Sequence, residues 1–210
     1  MISSKKYFLF DVDGVVASSI DFFTGLWKEL SEELGAPKSL PLSFYRDKIG
    51  SMFDTWLLPI IPKENHTKVN DAFNSRAALA DNPFNTPLVD GALKALTDLH
   101  QAGKKIAFIS TKPRKPMNAF IEHFQLTTLV DFSICGDEVT HYKPNPEGIN
   151  KALSFFNAKP TEAIFIGDSL HDLGAARNAN VPFIGVLTGI ANAEVWIENN
   201  AAYVNSIKEL

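Results

Sequence analysis

Asp11 and Asp13 stand one residue apart, immediately after the apolar run Tyr7-Phe8-Leu9-Phe10 and just before Gly14. A buried strand ending there would deliver two carboxylates to the edge of a sheet. One could attack an electrophile while the other moves a proton, or both could help hold a cation. A calcium loop is excluded, because its fifth position would be Val15 and no Glu stands at its twelfth. A second acidic pair lies in Gly167-Asp168-Ser169-Leu170-His171-Asp172, where Asp168 and Asp172 are about one helical turn apart and face the same way. Four carboxylates in one crevice cannot all stay ionised without a cation. All-oxygen donors suit Mg²⁺. Lys143, held between Tyr142 and Pro144, would be a fixed positive charge beside such a cluster, and Ser110 and Thr111 would offer hydroxyls and backbone N–H groups. Taken singly, each residue has an ordinary reading as a turn aspartate, a helix cap, a loop lysine or a strand-end hydroxyl. Their common position at strand ends makes them a candidate site.

The elements that must position them alternate. Apolar runs at Tyr7 to Asp11, Ile106 to Ile109, Phe132 to Cys135, Ala163 to Ile166 and Phe183 to Leu187 predict five buried strands. Helical periodicity predicts helices between them: one started by Asp90 with Leu93, Leu96 and Leu99 on one face, one from Lys115 to Phe124, one after Pro146 with Ile149, Ala152, Leu153 and Phe156 aligned, and one from Ser169 to Ala179. The pattern predicts an α/β fold with a doubly wound, mostly parallel, Rossmann-like sheet and a crevice outside its carboxyl edge. From Ala17 to about Ala80 the pattern differs. Phe22, Phe23, Leu26, Trp27, Leu30 and Leu34 recur at helical spacing, and helices are expected at Leu42 to Ile49, Met52 to Leu58 and Lys63 to Ala80. This predicts a small all-helical insert at 17–86, with Trp27, Trp56 and its phenylalanines as its own core, inside an α/β core of 1–16 and 87–210. The turn formers of 81–87 read as the linker back.

Bulk properties exclude several partners. Among 210 residues the formal charge is −4, and no basic run exceeds the pair Lys104-Lys105. Nucleic acid is therefore not expected. No apolar stretch approaches the ~20 residues of a membrane span, and the run after Lys5-Lys6 is too short for a secretion signal. The single cysteine, Cys135, permits no intrachain disulfide and reads as a buried strand residue. A soluble, cytoplasmic protein is expected.

The ordered set Asp11-Val12-Asp13-Gly14, Ser110, Lys143-Pro144-x-Pro146 and Gly167-Asp168-Ser169-x-x-Asp172 resembles the haloacid-dehalogenase-like hydrolase superfamily, over nearly the whole chain. Within it the chain is similar to the phosphoglycolate-phosphatase-like branch, whose helical cap is inserted just after the first strand. The resemblance implies a Mg²⁺-dependent phosphatase acting on a small phosphorylated metabolite. It makes Asp11 the nucleophile that forms an aspartyl-phosphate, and Asp13 the acid and then the base. Mg²⁺ would be held by the Asp11 carboxylate, the Asp13 main-chain carbonyl and Asp168, with Asp172 in support. Ser110, Thr111 and Lys143 would hold the phosphoryl group. Asp13 argues against a dehalogenase, which needs no acid for its leaving group, and Asp172 favours hydrolysis over a phosphomutase. A phosphonatase with Lys48 as imine-forming residue, a phosphomutase, and a lapsed relative that only binds phosphate or a partner remain alternatives. Thr111 stands where many relatives carry Asn. Lys112 and Arg114 are the residues that would compensate, although a basic pair at a helix start ordinarily reads as solvated. Arg46, Lys48, Ser51 and Arg76 are the insert's candidates for holding the rest of an anionic substrate.

Overall fold

In the computed structural model, which describes residues 2–49, 53–72, 79, 82 and 85–210, alternate residues of each central strand serve opposite sides of one sheet. Strands β1 (Tyr7–Phe10), β2 (Lys105–Ile109), β3 (Phe132–Ile134), β4 (Ala163–Gly167), β5 (Phe183–Val186) and β6 (Tyr203–Val204) all pair in parallel, in the order β3-β2-β1-β4-β5-β6. Phe8, Phe10, Ile106, Phe108, Ile164 and Ile166 pack on one face, while Leu9, Ala107, Ile109, Ala163 and Phe165 pack on the other. Burial on both faces is why these strands read as unbroken apolar runs rather than alternating ones.

Each face is covered by helices. Helices α4 (Ala92–Gln101) and α5 (Arg114–His123) supply Leu96, Leu99, Met117 and Phe120 to the first layer; α6 (Glu147–Phe155) and α7 (Leu170–Asn178) supply Ile149, Leu153, Ala175 and Ala176 to the second. Two details differ from the sequence-based expectation. The buried stripe of α4 is Ala92, Leu96 and Leu99, with Leu93 46% exposed, because an i, i+4, i+7 row follows the helix better than i, i+3, i+6. Its N-cap is Gly91 at φ 78°, not Asp90, whose carboxylate pairs with Lys208. The short β6, beyond helix α8 (Ala193–Glu198), is an edge strand of two residues with too little pattern to be read from sequence.

The segment between β1 and α4 leaves and returns at one place. Val12 O accepts from the N–H groups of Val15, Val16 and Ala17, and Gly14 N donates to Ala17 O, closing a tight turn. Ser18 N then donates to Pro87 O, and Val89 N to Val16 O. Between these points lie α1 (Ile20–Glu33), α2 (Leu42–Arg46), α3 (Phe53–Leu57) and a 3-10 turn at Lys63–Lys68 that runs on as α-helix over 69–72, the first part of the helix expected from Lys63 to Ala80, whose residues 73–78 and 80 lie outside the described ones. Leu30, Leu34, Tyr45, Trp56, Leu57, Ile61 and Val69 form an apolar cluster separate from those of the sheet, with Trp27 and Phe44 against it. That segregation matches the change of composition. No described helix is long and apolar enough to cross a membrane.

Candidate functional site

Strand order decides where the polar residues meet. β1 lies between β2 and β4, so the chain winds outward from it in both directions, and the gap at its carboxyl end is the switch point of the sheet. Asp11 follows β1 and Asp168 follows β4, its neighbour, with Asp11 N donating to Ile166 O at 2.9 Å. Ser110 follows β2 on the other side.

Asp11, Asp168 and Asp172, all buried, present carboxylate oxygens within 4.8 Å of one another. Lys143 binds two of them, its Nζ lying 2.9 Å from Asp11 Oδ1 and 2.6 Å from Asp172 Oδ1. Phe165 lies beneath that ammonium, 5.8 Å from ring centroid to nitrogen. Asp172 begins α7 and is fully occupied by its surroundings. Its Oδ2 accepts from Ser169 Oγ at 2.6 Å, Ser169 N at 3.1 Å and Asp168 N at 3.2 Å, while Ser169 caps the helix in return. This is a capping box, and it fixes the backbone that carries Asp168.

Asp168 is held from the other side by Ile190 N, 2.9 Å from its Oδ2. The backbone closes around it. A Cβ on Gly189 would lie 1.9 Å from Asp168 Oδ2, and one on Gly14, at φ 82°, would lie 2.3 Å from it. Both positions therefore require glycine, Gly14 doubly so because of its left-handed backbone. Thr188 Oγ1 ties the two loops by donating to Gly14 O at 2.6 Å. The Thr188-Gly189-Ile190 loop was missed in the sequence, where its one signal is a glycine soon after a strand.

These charges strain one another. Burial pushes Asp11 up to about 7, Lys143 pulls it down, and the charges of Asp172 and Asp13 add to the rise. Burial, with the charges of Asp172 and Asp11 beside it, holds Asp168 well above the usual carboxylate range. For Lys143 burial works against the charge, but Asp11 and Asp172 raise it overall above an ordinary lysine. An excess of buried, mutually raised carboxylates on hard oxygen donors is what a divalent cation would relieve. The donor set fits Mg²⁺ through Asp11 and Asp168; the bonds on Asp172 leave it to orient its neighbours.

Asp13 lies apart from that cluster. Its Oδ1 is buried and has no hydrogen-bond donor, yet Lys112 Nζ stands 3.3 Å away. Lys112 is only 7% exposed, which corrects the expectation of a solvated helix-start residue. Arg114 is likewise engaged, by Glu138 and Ser133, and serves the β3 end rather than the crevice. Ser110 Oγ accepts from Lys112 N, and with Thr111 and Lys143 it lines a small cavity behind the strand ends. Arg46 bridges the insert and the core, donating to Asp21 Oδ1 at 3.0 Å and to Gly189 O at 2.6 Å. The Lys48 ammonium sits over Phe44, 5.3 Å from the ring centroid. Ser51 and Arg76 fall outside the described residues. Cys135 is buried, and burial pushes its thiol up to about 12.

Comparison with known proteins adds a family. Residues 8–186 match the family model described as haloacid dehalogenase-like hydrolase. A pyrophosphatase PpaX of Halalkalibacterium halodurans is 35% identical over 92 residues, 44% of this chain and 43% of that protein. The chain spans about half the length of the curated relatives it matches. Among solved structures, one from Bacteroides fragilis described as a haloacid dehalogenase-like hydrolase superposes with a TM-score of 0.85 at 28% identity, covering 98% of this chain and 99% of that one. Another, described as a predicted phosphoglycolate phosphatase of Haemophilus somnus, gives 0.82 at 17% identity over 98% and 96%, a likeness of fold alone.

Proposed function

The chain belongs to the haloacid dehalogenase-like hydrolase family, and from that premise we propose that it is a Mg²⁺-dependent phosphatase hydrolysing a small phosphorylated metabolite through an aspartyl-phosphate on Asp11. The observation that carries this reading is the grouping of Asp11, Asp168 and Asp172 around Lys143 at the switch point of the sheet. An arrangement of a nucleophilic carboxylate, a fixed ammonium beside it and a second buried carboxylate able to share a cation with it suits phosphoryl transfer, whose barrier is lowered chiefly by positioning and charge stabilisation.

Asp11 attacks phosphorus, and the bond to the leaving oxygen breaks as Asp13 donates its proton to that oxygen. Asp13 then takes a proton from water, which attacks the same phosphorus. The Asp11–phosphorus bond breaks, releasing inorganic phosphate and returning Asp11 to a carboxylate. Lys143 and the Ser110 hydroxyl hold phosphoryl oxygens, and Asp172 keeps Lys143 aimed. Mg²⁺, held by Asp11, Asp168 and the Asp13 main-chain carbonyl, would neutralise the clustered carboxylates and the phosphoryl charge when bound. The helical insert of 17–86 acts as a cap that limits water and reads the substrate beyond its phosphate.

The test is a panel of phosphorylated metabolites, with inorganic pyrophosphate and p-nitrophenyl phosphate, assayed with Mg²⁺, with chelator and with Asp11→Asn. Phosphate release that needs both Mg²⁺ and Asp11 is expected. Undiminished turnover by Asp11→Asn would refute the aspartyl-phosphate route, and silence across the panel would favour a protein that binds phosphate without turnover.

A further inference from the structure

We infer that Lys112 is the positioning residue for Asp13, holding the proton-carrying carboxylate toward the leaving oxygen through a buried ion pair that the helical insert covers. This rests on the reading of Asp13 as acid and base.

The geometry is specific on three sides. Asp13 Oδ1 has no hydrogen-bond donor in its buried surroundings, and the charge it faces is Lys112 Nζ at 3.3 Å. A buried carboxylate oxygen without a donor costs folding free energy unless a cation balances it. The base of Lys112 is pinned: its N–H donates to Ser110 Oγ at 3.1 Å and its carbonyl accepts from Gly136 N at 3.0 Å. The ammonium is then capped by Phe23 of α1, 5.5 Å from ring centroid to nitrogen. Lysine side chains on a helix start ordinarily reach into water; this one is held between the end of β1 and the insert, with its side chain 5% exposed. An ion pair at 3.3 Å without hydrogen-bond geometry orients the acid while leaving its proton-bearing oxygen free to turn to the leaving group.

Lys112 differs in this from Lys143, which bonds to Asp11 and Asp172. One lysine serves the nucleophile's half of the site and the other serves the acid's half. Loss of Lys112 should therefore damage the steps in which Asp13 moves a proton, protonation of the leaving oxygen and activation of water, and not the attack of Asp11 on phosphorus.

Two measurements on the full-length, Mg²⁺-loaded protein decide it. In a double-mutant cycle of Lys112→Met and Asp13→Asn followed by thermal unfolding, the double variant should shift the midpoint by less than the sum of the single variants. In turnover, Lys112→Met should lower kcat about tenfold or more for an alkyl phosphate, whose leaving oxygen must be protonated. For p-nitrophenyl phosphate, whose leaving group needs no acid, the pre-steady-state rate of nitrophenolate release should stay within about threefold. Lys112→Arg should restore most of the alkyl rate. Additive midpoint shifts, equal loss of the first-step rate with both leaving groups, or a change confined to KM would each overturn the assignment, the last by making Lys112 a phosphate ligand. Inactivity of the unmutated protein on all phosphates would instead overturn the phosphatase reading, and the role of Lys112 with it; the cycle would still report whether the pair is coupled.

Discussion

The two halves of the site are built by different means. In the Lys143 half, the groups come from the α/β core: Asp11 from the end of β1 and Asp172 from the turn into α7 bind Lys143, while Asp168 is held by the Ile190 N–H from the loop after β5. Hydrogen bonds close on both carboxylate oxygens of Asp172. Around Lys112 there is one ion pair, one carboxylate oxygen without a donor, and an aromatic lid from the helical insert. On the proposed mechanism, the half that holds charge in place is over-determined by bonds, whereas the half that releases and reclaims a proton is held by one loose pair. Preorganisation of charge and freedom to move a proton ask for opposite things of the surrounding backbone.

The sharpest way to break this contrast is to remove each acid in turn. Asp11→Asn should abolish turnover, by about 10⁴-fold or more. Asp13→Asn should cost about 10²- to 10⁴-fold in steady-state turnover of alkyl and aryl phosphates alike, because Asp13 also activates the water, and should spare only the first, phenolate-releasing step of an activated aryl phosphate; pre-steady-state and steady-state kinetics on a paired alkyl and aryl substrate would check both. A first step slowed equally for both substrates in Asp13→Asn would merge the two halves into one.

Stability separates them next. Asp172→Ala leaves Lys143 with one partner and frees the Asp168 backbone, so a loss of about 3–5 kcal/mol is expected in denaturant unfolding, the usual range for breaking a buried pair. A loss under about 1 kcal/mol would mean that the Lys143 half is not over-determined.

The third prediction concerns pH in the metal-free protein. Asp11 is pushed up to about 7 and Asp168 is raised as well, so the folded state holds protons that the unfolded chain has released. Their contribution is fully present below the unfolded carboxylate value near 4 and is lost as pH rises toward 7. Thermal midpoints of chelator-treated protein should therefore fall relative to those of the Mg²⁺-loaded protein between about pH 4 and 7. Asp168→Asn should flatten the decline while eliminating activity. A midpoint gap independent of pH would show that these carboxylates are not in excess.

The smallest effect belongs to Arg46, which ties the insert to Gly189 beside Asp168. Arg46→Ala should cost about 1 kcal/mol in stability, and its kinetic effect should fall on KM rather than kcat. A kcat loss as large as that of Asp13→Asn would place Arg46 in the chemistry.

How much of this was legible in the sequence varied with the range of the interaction. The central strands were readable because burial on both faces leaves apolar runs that end abruptly in Asp or Ser. Asp168 and Asp172 could be paired because one helical turn separates them. Lys112 was misread, since its burial depends on Phe23 from another segment and on Asp13 nearly a hundred residues earlier in the chain. The Gly189 loop was invisible for the same reason: its close approach to Asp168 leaves no mark except a glycine.

By itself the sequence determined the alternation of strands and helices and put Asp11 and Asp168 directly after strands, because those are written in local periodicity and in motifs a few residues long. Only the tertiary structure decided that β1 lies between β2 and β4, that Lys143 balances Asp11 and Asp172, and that Lys112 faces Asp13. Those depend on strand order and on distances between segments, where the free energy comes from burying charges together and no local pattern records the partner.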